Sequence, residues 1–158
     1  MKIETISGEN RARVNDFLKE HWYTTNMIVS GRVVDMTQLD GFAALEGCTI
    51  VGLVTYETKD GECEIISLDS LKENHGTGTA LLREAVSAAR RKKCRRVKLI
   101  TTNDNINAIR FYQKRGFDMA HLYHNAMDVS RKLKPSIPLV GDNGIPLRHE
   151  IEFELSLR

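Results

Sequence analysis

The sequence predicts an α/β (α+β) protein in which a meander of antiparallel strands passes into alternating helices and strands. Extended runs at residues 48–56 and 62–71 are separated by Asp60-Gly61, a typical hairpin signal. After Gly78 the apolar residues recur at helical spacing. Residues 150–157 alternate apolar side chains with acidic or polar ones, which indicates a half-buried strand.

The N-terminal part is expected to contain a short strand at residues 3–6 and an amphipathic helix at residues 9–21. Residues 23–41 are ambiguous and could hold a loop and a short second helix limited by Gly31 and Gly41. The meander then begins with a strand at residues 42–45. Later elements are a helix at 79–92, a strand at 96–102, a helix at about 104–115, a strand at 117–125 and a proline-containing connector at 134–147.

Composition limits the classes of protein that fit this pattern. The chain has 158 residues, 41% of them hydrophobic and 28% charged, with a net charge of +2. We expect one domain, residues 1–158, with enough apolar side chains for a core that needs no disulfides. No signal peptide and no 18-residue apolar run is visible, so a cytoplasmic location without membrane attachment is expected.

The three cysteines, Cys48, Cys63 and Cys94, are odd in number and show no CxxC spacing. A structural zinc site needs four converging ligands, commonly in close pairs, so we expect no bound metal. The mild net charge neither requires a nucleic-acid partner nor excludes an anionic ligand.

A glycine turn, Gly76-Thr77-Gly78, lies between a predicted strand and a predicted helix. Backbone N–H groups at such a helix start favour an anion, and glycine lets the backbone approach it closely. A GxG turn can equally be a simple tight turn. The surrounding residues fit neither a P-loop nor a dinucleotide-binding fingerprint, because no GK[ST] sequence follows and Leu81 replaces a third glycine.

Two motifs together resemble the GNAT superfamily of acyl-CoA-dependent N-acyltransferases. The family pattern Gln/Arg-x-x-Gly-x-Gly/Ala is similar to residues 73–78, and Asn-x-x-Ala-x-x-Phe/Leu-Tyr is similar to residues 105–112, followed by Gly116-Phe117. The resemblance implies a central mixed, mostly antiparallel sheet of about six to seven strands, splayed at the middle and flanked by about four helices. It also implies acetyl transfer from acetyl-CoA to a primary amine of a small molecule or protein, by direct attack in a ternary complex.

One departure from the family pattern is Glu73, which stands where the family carries Gln or Arg. A carboxylate beside a pyrophosphate is repulsive, although a cradle of backbone N–H groups does not depend on side chains. An alternative function is therefore a non-catalytic acyl-CoA-binding or sensor module.

The resemblance also implies roles for individual residues. The Leu68 N–H would stabilise the oxyanion, Tyr112 would protonate the leaving thiolate, and Asn105 would contact the coenzyme. Tyr112 could instead be a buried aromatic residue, and Asn105 a polar residue at a helix N-terminus. The remaining coenzyme contacts would be the backbone groups of Ile66, Ser67 and Leu68 for pantetheine and the amides of Glu73, Asn74, His75, Gly76, Thr77, Gly78 and Thr79 for pyrophosphate.

The candidate general bases are Glu62 and Glu64, which are two residues apart on a predicted strand and therefore face the same side. Glu62 stands at the spacing from Gly78 at which some histone-modifying relatives carry a catalytic glutamate. The alternatives are that both are exposed strand carboxylates and that a water chain removes the proton.

Residues 90–96 contain six cations in seven positions. Cations stabilise the negative end of a helix, which is the simplest interpretation of this run. It could also attract an acidic protein or a nucleic acid, but it contains no aromatic residue for base stacking, which argues against RNA. The expected partners are therefore acetyl-CoA and an amine acceptor, and a homodimer stays open.

Overall fold

The structure is a computed structural model that describes residues 1–71 and 75–158. The strands of the described residues are β1 (Lys2–Thr5), β2 (Asn26–Val29), β3 (Arg32–Asp35), β4 (Asp40–Glu46), β5 (Thr49–Lys59), β6 (Glu62–Ser70), β7 (Arg96–Thr102), β8 (Asp118–Tyr123) and β9 (Glu150–Ser156). The helices are α1 (Arg11–Trp22), α2 (Thr77–Arg91), α3 (Ile106–Lys114) and α4 (Ala126–Leu133), with short 3-10 helices at Met36–Gln38 and Asp142–Gly144.

Seven strands form one sheet in the order β1-β4-β5-β6-β7-β9-β8. All neighbours in this sheet are antiparallel except β6 and β7, which are parallel. The prediction of a mixed, mostly antiparallel sheet with about four helices is confirmed.

The parallel pair is joined over only part of its length. The register matches Glu62 with Arg96 and ends where Ile65 matches Leu99, although β6 continues to Ser70 and β7 to Thr102. The expected splay therefore begins after Ile65. On the other side of β6 the register with β5 is irregular at the same level, because Thr55 pairs with Ser67 and Tyr56 pairs with Ile65, which leaves Ile66 without a partner.

Residues 23–41, which the sequence left ambiguous, contain the β2–β3 hairpin, which was not predicted, and one short helix between Gly31 and Gly41, the 3-10 helix Met36–Gln38. Ser30 and Gly31 both adopt positive φ angles, 51° and 75°, which suits a two-residue hairpin turn. Val29 and Val34 are buried on either side of the turn, so burial of β-branched residues favours strands here. Helix α4 was not predicted, and within it only Met127 and Ser130 are buried.

The core lies on both faces of the sheet. On one face α2 buries an alanine- and leucine-rich stripe, including Leu81 and Ala85, in the same cluster as Ile65 and Val97. On the other face Leu18 of α1 belongs to a cluster with Ile66 and the β2–β3 hairpin. Strand β6 therefore contributes side chains to both halves of the core.

The start of α2 lies very close to β5 at Gly52. A Cβ atom on Gly52 would stand 2.8 Å from Cγ2 of Thr77 and 3.0 Å from Cδ1 of Leu81. Glycine at this position lets the first turn of α2 pack directly on the sheet, beside the splayed end of β6.

Candidate active site

A cleft of about 750 Å³ opens between the splayed end of β6, the N-terminal end of α2 and one side of α3. Several residues singled out from the sequence line it, namely Leu68, Gly76, Thr77, Gly78, Thr79, Asn105 and Tyr112. Its other lining residues were not predicted: Ser70, Asn107, Ala108, Arg110, Phe111, Lys114 and Arg115.

The N-terminus of α2 supplies backbone donors to this cleft. Gly76 is the N-cap residue, with a φ angle of 76°, and no side chain caps the helix. The first α-type bond of the helix runs from Ala80 N to Gly76 O at 3.0 Å. The amides of Thr77, Gly78 and Thr79 precede it, where a helix has no acceptor for them, so they are available to an anion.

Gly78 of α2 lies beside Phe111 of α3. A Cβ atom there would lie 3.4 Å from the ring of Phe111. The side chain of Thr77 turns away from an anion site, because it is buried and its hydroxyl donates to Sδ of Met1 at 3.3 Å.

Three cations line the same cleft, namely Arg110 and Lys114 of α3 and its C-cap residue, Arg115. Arg115 is held in place, since Nε donates to Oγ1 of Thr79 and Nη1 donates to the carbonyl of Phe111, both at 2.9 Å. Its guanidinium also lies 3.7 Å from the Phe111 ring centre. The sequence signal for this positive rim was the spacing of cations three to five residues apart on a predicted helix, which places Arg110 and Lys114 on one face.

Tyr112 is both a core residue and a wall of the cleft. It is 7% exposed and makes edge-to-face contacts with Phe111 and Phe117, at ring-centre distances of 5.1 and 5.5 Å. Burial raises the pKa of the Tyr112 phenol, so its hydroxyl keeps its proton at neutral pH.

Asn105 has a structural role at the start of α3 and also faces the cleft. It is the N-cap of α3, and Oδ1 accepts a hydrogen bond from the Ala108 N–H at 3.2 Å. It also lines the cleft.

The predicted pantetheine-binding residues lie where β6 leaves β7. Ile66 packs into the core with α1, and the Ser67 hydroxyl is buried in a 2.6 Å hydrogen bond with the hydroxyl of Thr55. Of the three, only Leu68 lines the cleft. The β7-facing edge of β6 has no strand partner in the register beyond Ile65, so backbone groups on that edge can pair with a ligand.

The structure leaves part of the predicted pyrophosphate loop undescribed. Glu73 and Asn74 lie outside the described residues. His75 is exposed and is not among the residues that line the cleft.

Glu62 and Glu64 lie on the opposite face of the sheet from α2. Cys63 and Ile65, which alternate with them, pack in the α2 cluster, so both glutamates point the other way. Neither lines the 750 Å³ cleft, and neither is a freely exposed strand carboxylate, because their side chains are 21% and 13% exposed.

The two glutamates have opposite electrostatic environments. A hydrogen bond from Arg96, together with the charge of Lys98 at 3.5 Å, lowers the pKa of Glu62. Burial raises the pKa of Glu64 even though Arg32 lies 3.2 Å away. Glu64 is therefore the better proton acceptor of the two.

The basic run is partly engaged within the chain. The run includes the end of α2 at Arg91, which agrees with the interpretation that these cations lie at the negative end of a helix. Lys92 pairs with Asp40 at 3.3 Å, and Nη1 of Arg95 donates to the carbonyl of Asp60 at 2.8 Å. Arg96 binds Glu62 and two carboxylates of β9, Glu152 and Glu154.

Cys48 is exposed, whereas Cys63 and Cys94 are buried, and all three are free thiols. Burial raises the pKa of Cys63 to about 12. Among residues 1–71 and 75–158, no group of three or more His, Cys, Asp or Glu side chains is arranged to hold a metal ion. None of the helices within these ranges has the length and apolar character that spanning a membrane requires.

Proteins similar to this chain match it over the residues that form the cleft. The family described as "Acetyltransferase (GNAT) family" matches residues 10–117. Two proteins of Bacillus subtilis (strain 168) are similar over most of their length. "Uncharacterized protein YdhI" is 50% identical over 141 residues, 89% of this chain and 88% of the relative. "Uncharacterized protein YxbD" is 48% identical over 139 residues, 87% of each chain.

Solved structures with the same fold include the IAA acetyltransferase from Bacillus cereus ATCC 14579, with a TM-score of 0.70 and 21% identity over 99% of both chains. A GNAT family acetyltransferase from Elizabethkingia anophelis with acetyl-CoA bound has a TM-score of 0.69 and 18% identity, over 99% of this chain and 97% of that one. The family match across residues 10–117 shows that this chain belongs to the GNAT acetyltransferase family.

Proposed function

We propose that this chain is an N-acetyltransferase that moves the acetyl group of acetyl-CoA to a primary amine of a small molecule or protein. The observation that carries this proposal is the convergence, in one cleft, of the uncapped start of α2, three cations and the open edge of β6. A long ligand with phosphates at one end and a polar, amide-containing arm at the other matches these three features.

In this proposal the pyrophosphate binds the amides of residues 73–79, of which Thr77, Gly78 and Thr79 form the first turn of α2. Arg110, Lys114 and Arg115 bind the phosphates as cations. The pantetheine arm then follows the open edge of β6 and pairs with backbone groups of Ile66, Ser67 and Leu68. This places the thioester at the level where the β6–β7 register ends.

The reaction needs a neutral amine, an oxyanion donor and a proton for the leaving group. The amine nitrogen attacks the thioester carbonyl, so a C–N bond forms and the C–S bond breaks. The Leu68 N–H stabilises the charge on the carbonyl oxygen. The thiolate takes a proton from Tyr112, and the proton from nitrogen leaves to a base. Because burial raises the pKa of Tyr112 and so disfavours its phenolate, the tyrosine must regain a proton from the solution.

We assign the base role first to Glu64 and second to Glu62. The reason is proton affinity: burial raises the pKa of Glu64, whereas Arg96 holds Glu62 in its charged form. Because both glutamates lie outside the coenzyme cleft, the amine would approach from the opposite face of the sheet, and water can link it to the carboxylate.

The acyl-CoA sensor is the second candidate, favoured by Glu73 in place of Gln or Arg. A sensor and an enzyme both bind acetyl-CoA, but only an enzyme releases the free thiol when an amine is added.

The first test measures acetyl-CoA binding by calorimetry and thiol release with a panel of amines. We expect wild-type protein to bind acetyl-CoA and Lys114→Ala to bind it about tenfold more weakly, since a charged hydrogen bond contributes about 1.5 kcal/mol. Lys132→Ala is the matched control, because Lys132 lies in the last turn of α4 and does not line the cleft. Absence of acetyl-CoA binding would refute the proposal, and binding without thiol release on any amine would favour the sensor.

The second test concerns Tyr112. Tyr112→Phe should lower turnover by about 10²-fold or more, as expected for the loss of a general acid, and leave the affinity for acetyl-CoA nearly unchanged. Tyr23→Phe serves as control, because Tyr23 is 92% exposed. Equal turnover in wild type and Tyr112→Phe would remove the acid role.

The third test is the pH dependence of kcat/KM for the amine. A base must be ionised to accept a proton, so the rate should rise as pH increases through the raised pKa of Glu64. The charged groups that act on the pKa of Glu64 are Lys98, Arg32 and Glu57, and Glu150 lies close enough that the charge of Glu64 raises the pKa of Glu150. Glu64→Gln should remove this limb of the profile and Glu62→Gln should keep it; the reverse pattern would assign the base to Glu62.

A further inference from the structure

Glu150 is a buried carboxylate at the splayed end of the sheet. It is the first residue of β9, is 5% exposed, and pairs in register with Thr102, the last residue of β7. Ile151 and Phe153, which alternate with it, pack on the α2 side. Glu150 therefore points to the face opposite the coenzyme cleft, where β7 has already separated from β6.

Among the described residues, the carboxylate of Glu150 has one long hydrogen bond and no ion pair to compensate its charge. Its one hydrogen bond within the described residues comes from the Ser30 N–H at 3.4 Å, and none of their cations lies within ion-pair distance of it. Its neighbours along the same face of β9 differ: Glu152 is bound by Arg96 at 3.1 Å and by the Tyr123 hydroxyl at 3.0 Å, and Glu154 by Arg96 at 2.8 Å.

The groups around Glu150 indicate that the partner it lacks is a cation. Burial raises the pKa of Glu150, and the nearby charge of Glu64 raises it further. Glu64 itself shares Arg32 with Glu57, so that cation is already engaged by two carboxylates. A buried carboxylate without a cation is costly, and glutamine or an apolar residue at this position would avoid the cost.

We propose that Glu150 binds the ammonium group of the acceptor, and that this chain therefore selects aliphatic amines that are cationic at neutral pH over neutral aromatic amines. The proposal rests on the proposed function, since it concerns the acceptor of the same reaction. In the proposed function the coenzyme binds on the α2 side of the sheet. Glu150 pairs with Thr102, beyond the point where β7 stops pairing with β6, and its side chain points to the opposite face.

The β2–β3 turn lies against this carboxylate. Ser30, which donates the long hydrogen bond, is exposed and precedes Gly31 in the turn. An ammonium group offers three donors and a full charge, so it replaces the single Ser30 N–H favourably. On the far side of the turn α4 lies close, since a Cβ atom on Gly31 would stand 3.2 Å from Cγ1 of Val129.

Binding to CoA-loaded protein tests the proposal without requiring turnover. The probes are n-butylamine, 1,4-diaminobutane and the neutral isostere n-butanol, titrated by calorimetry at pH 7.5. We expect both amines to bind, n-butanol not to bind, and Glu150→Gln to weaken amine binding tenfold or more while CoA affinity stays the same. Glu154→Gln is the matched control, since it is on the same face of β9 and already pairs with Arg96.

Thermal unfolding of the same variants separates ligand binding from a structural role. The folded Glu150 carboxyl holds its proton more tightly than the unfolded one, so wild type loses stability relative to Glu150→Gln as pH rises through the raised pKa. The titratable groups facing Glu150 are Glu64 of β6 and Tyr123 of β8, both present in each variant. At pH 8 we expect Glu150→Gln to have a Tm equal to or above that of wild type; a lower Tm would indicate a structural carboxylate and overturn the proposal.

The outcomes distinguish this inference from the proposed function. Protein that fails to bind acetyl-CoA refutes both. Protein that binds acetyl-CoA and acetylates amines, but binds n-butylamine equally well as wild type and as Glu150→Gln, refutes only the role of Glu150. Failure of the CoA-loaded wild type to bind either amine also overturns the role of Glu150.

Discussion

The organisation of this molecule depends on the early end of the parallel pairing between β6 and β7. After Ile65 and Leu99 the two strands share no further register, so one edge of β6 loses its strand partner in the middle of the sheet. Buried backbone groups need hydrogen bonds, and here they must come from a ligand or from water. The close packing of α2 on Gly52 places a second set of unpaired amides beside this edge. The coenzyme cleft is thus a consequence of backbone geometry, and side chains refine it.

The two faces of the sheet have different electrostatic characters. The α2 face has the cations of α3 around the cleft, which suits a phosphate-containing ligand. The opposite face has the carboxylates of β6 and β9, of which Glu62, Glu152 and Glu154 share Arg96, while Glu150 has no cation among the described residues. In the proposed mechanism the anionic coenzyme and the cationic amine approach from opposite sides and meet where the strands separate.

The parts of the fold that local patterns determine were predictable from the sequence. Asp60-Gly61 and the apolar period after Gly78 indicated the meander and α2 correctly. The β2–β3 hairpin was missed although Ser30-Gly31 is a turn pair, because each of its strands has only four residues and buries only one of them. The sequence indicated that Lys114 is a cation on a helix. Its position in the cleft depends on where the fold places α3 relative to the start of α2. The isolation of Glu150 is a tertiary property, since the same alternating pattern contains Glu152 and Glu154, which do have a cation.

The central claim is that the open edge of β6 and the start of α2 together form the acetyl-CoA site. Amide hydrogen exchange with and without acetyl-CoA tests this claim at the level of single segments. The account predicts that bound acetyl-CoA protects the amides of residues 66–70 and 77–79 and leaves the amides of β8 unchanged. Protection confined to other segments, with unchanged exchange in both of these, would contradict it.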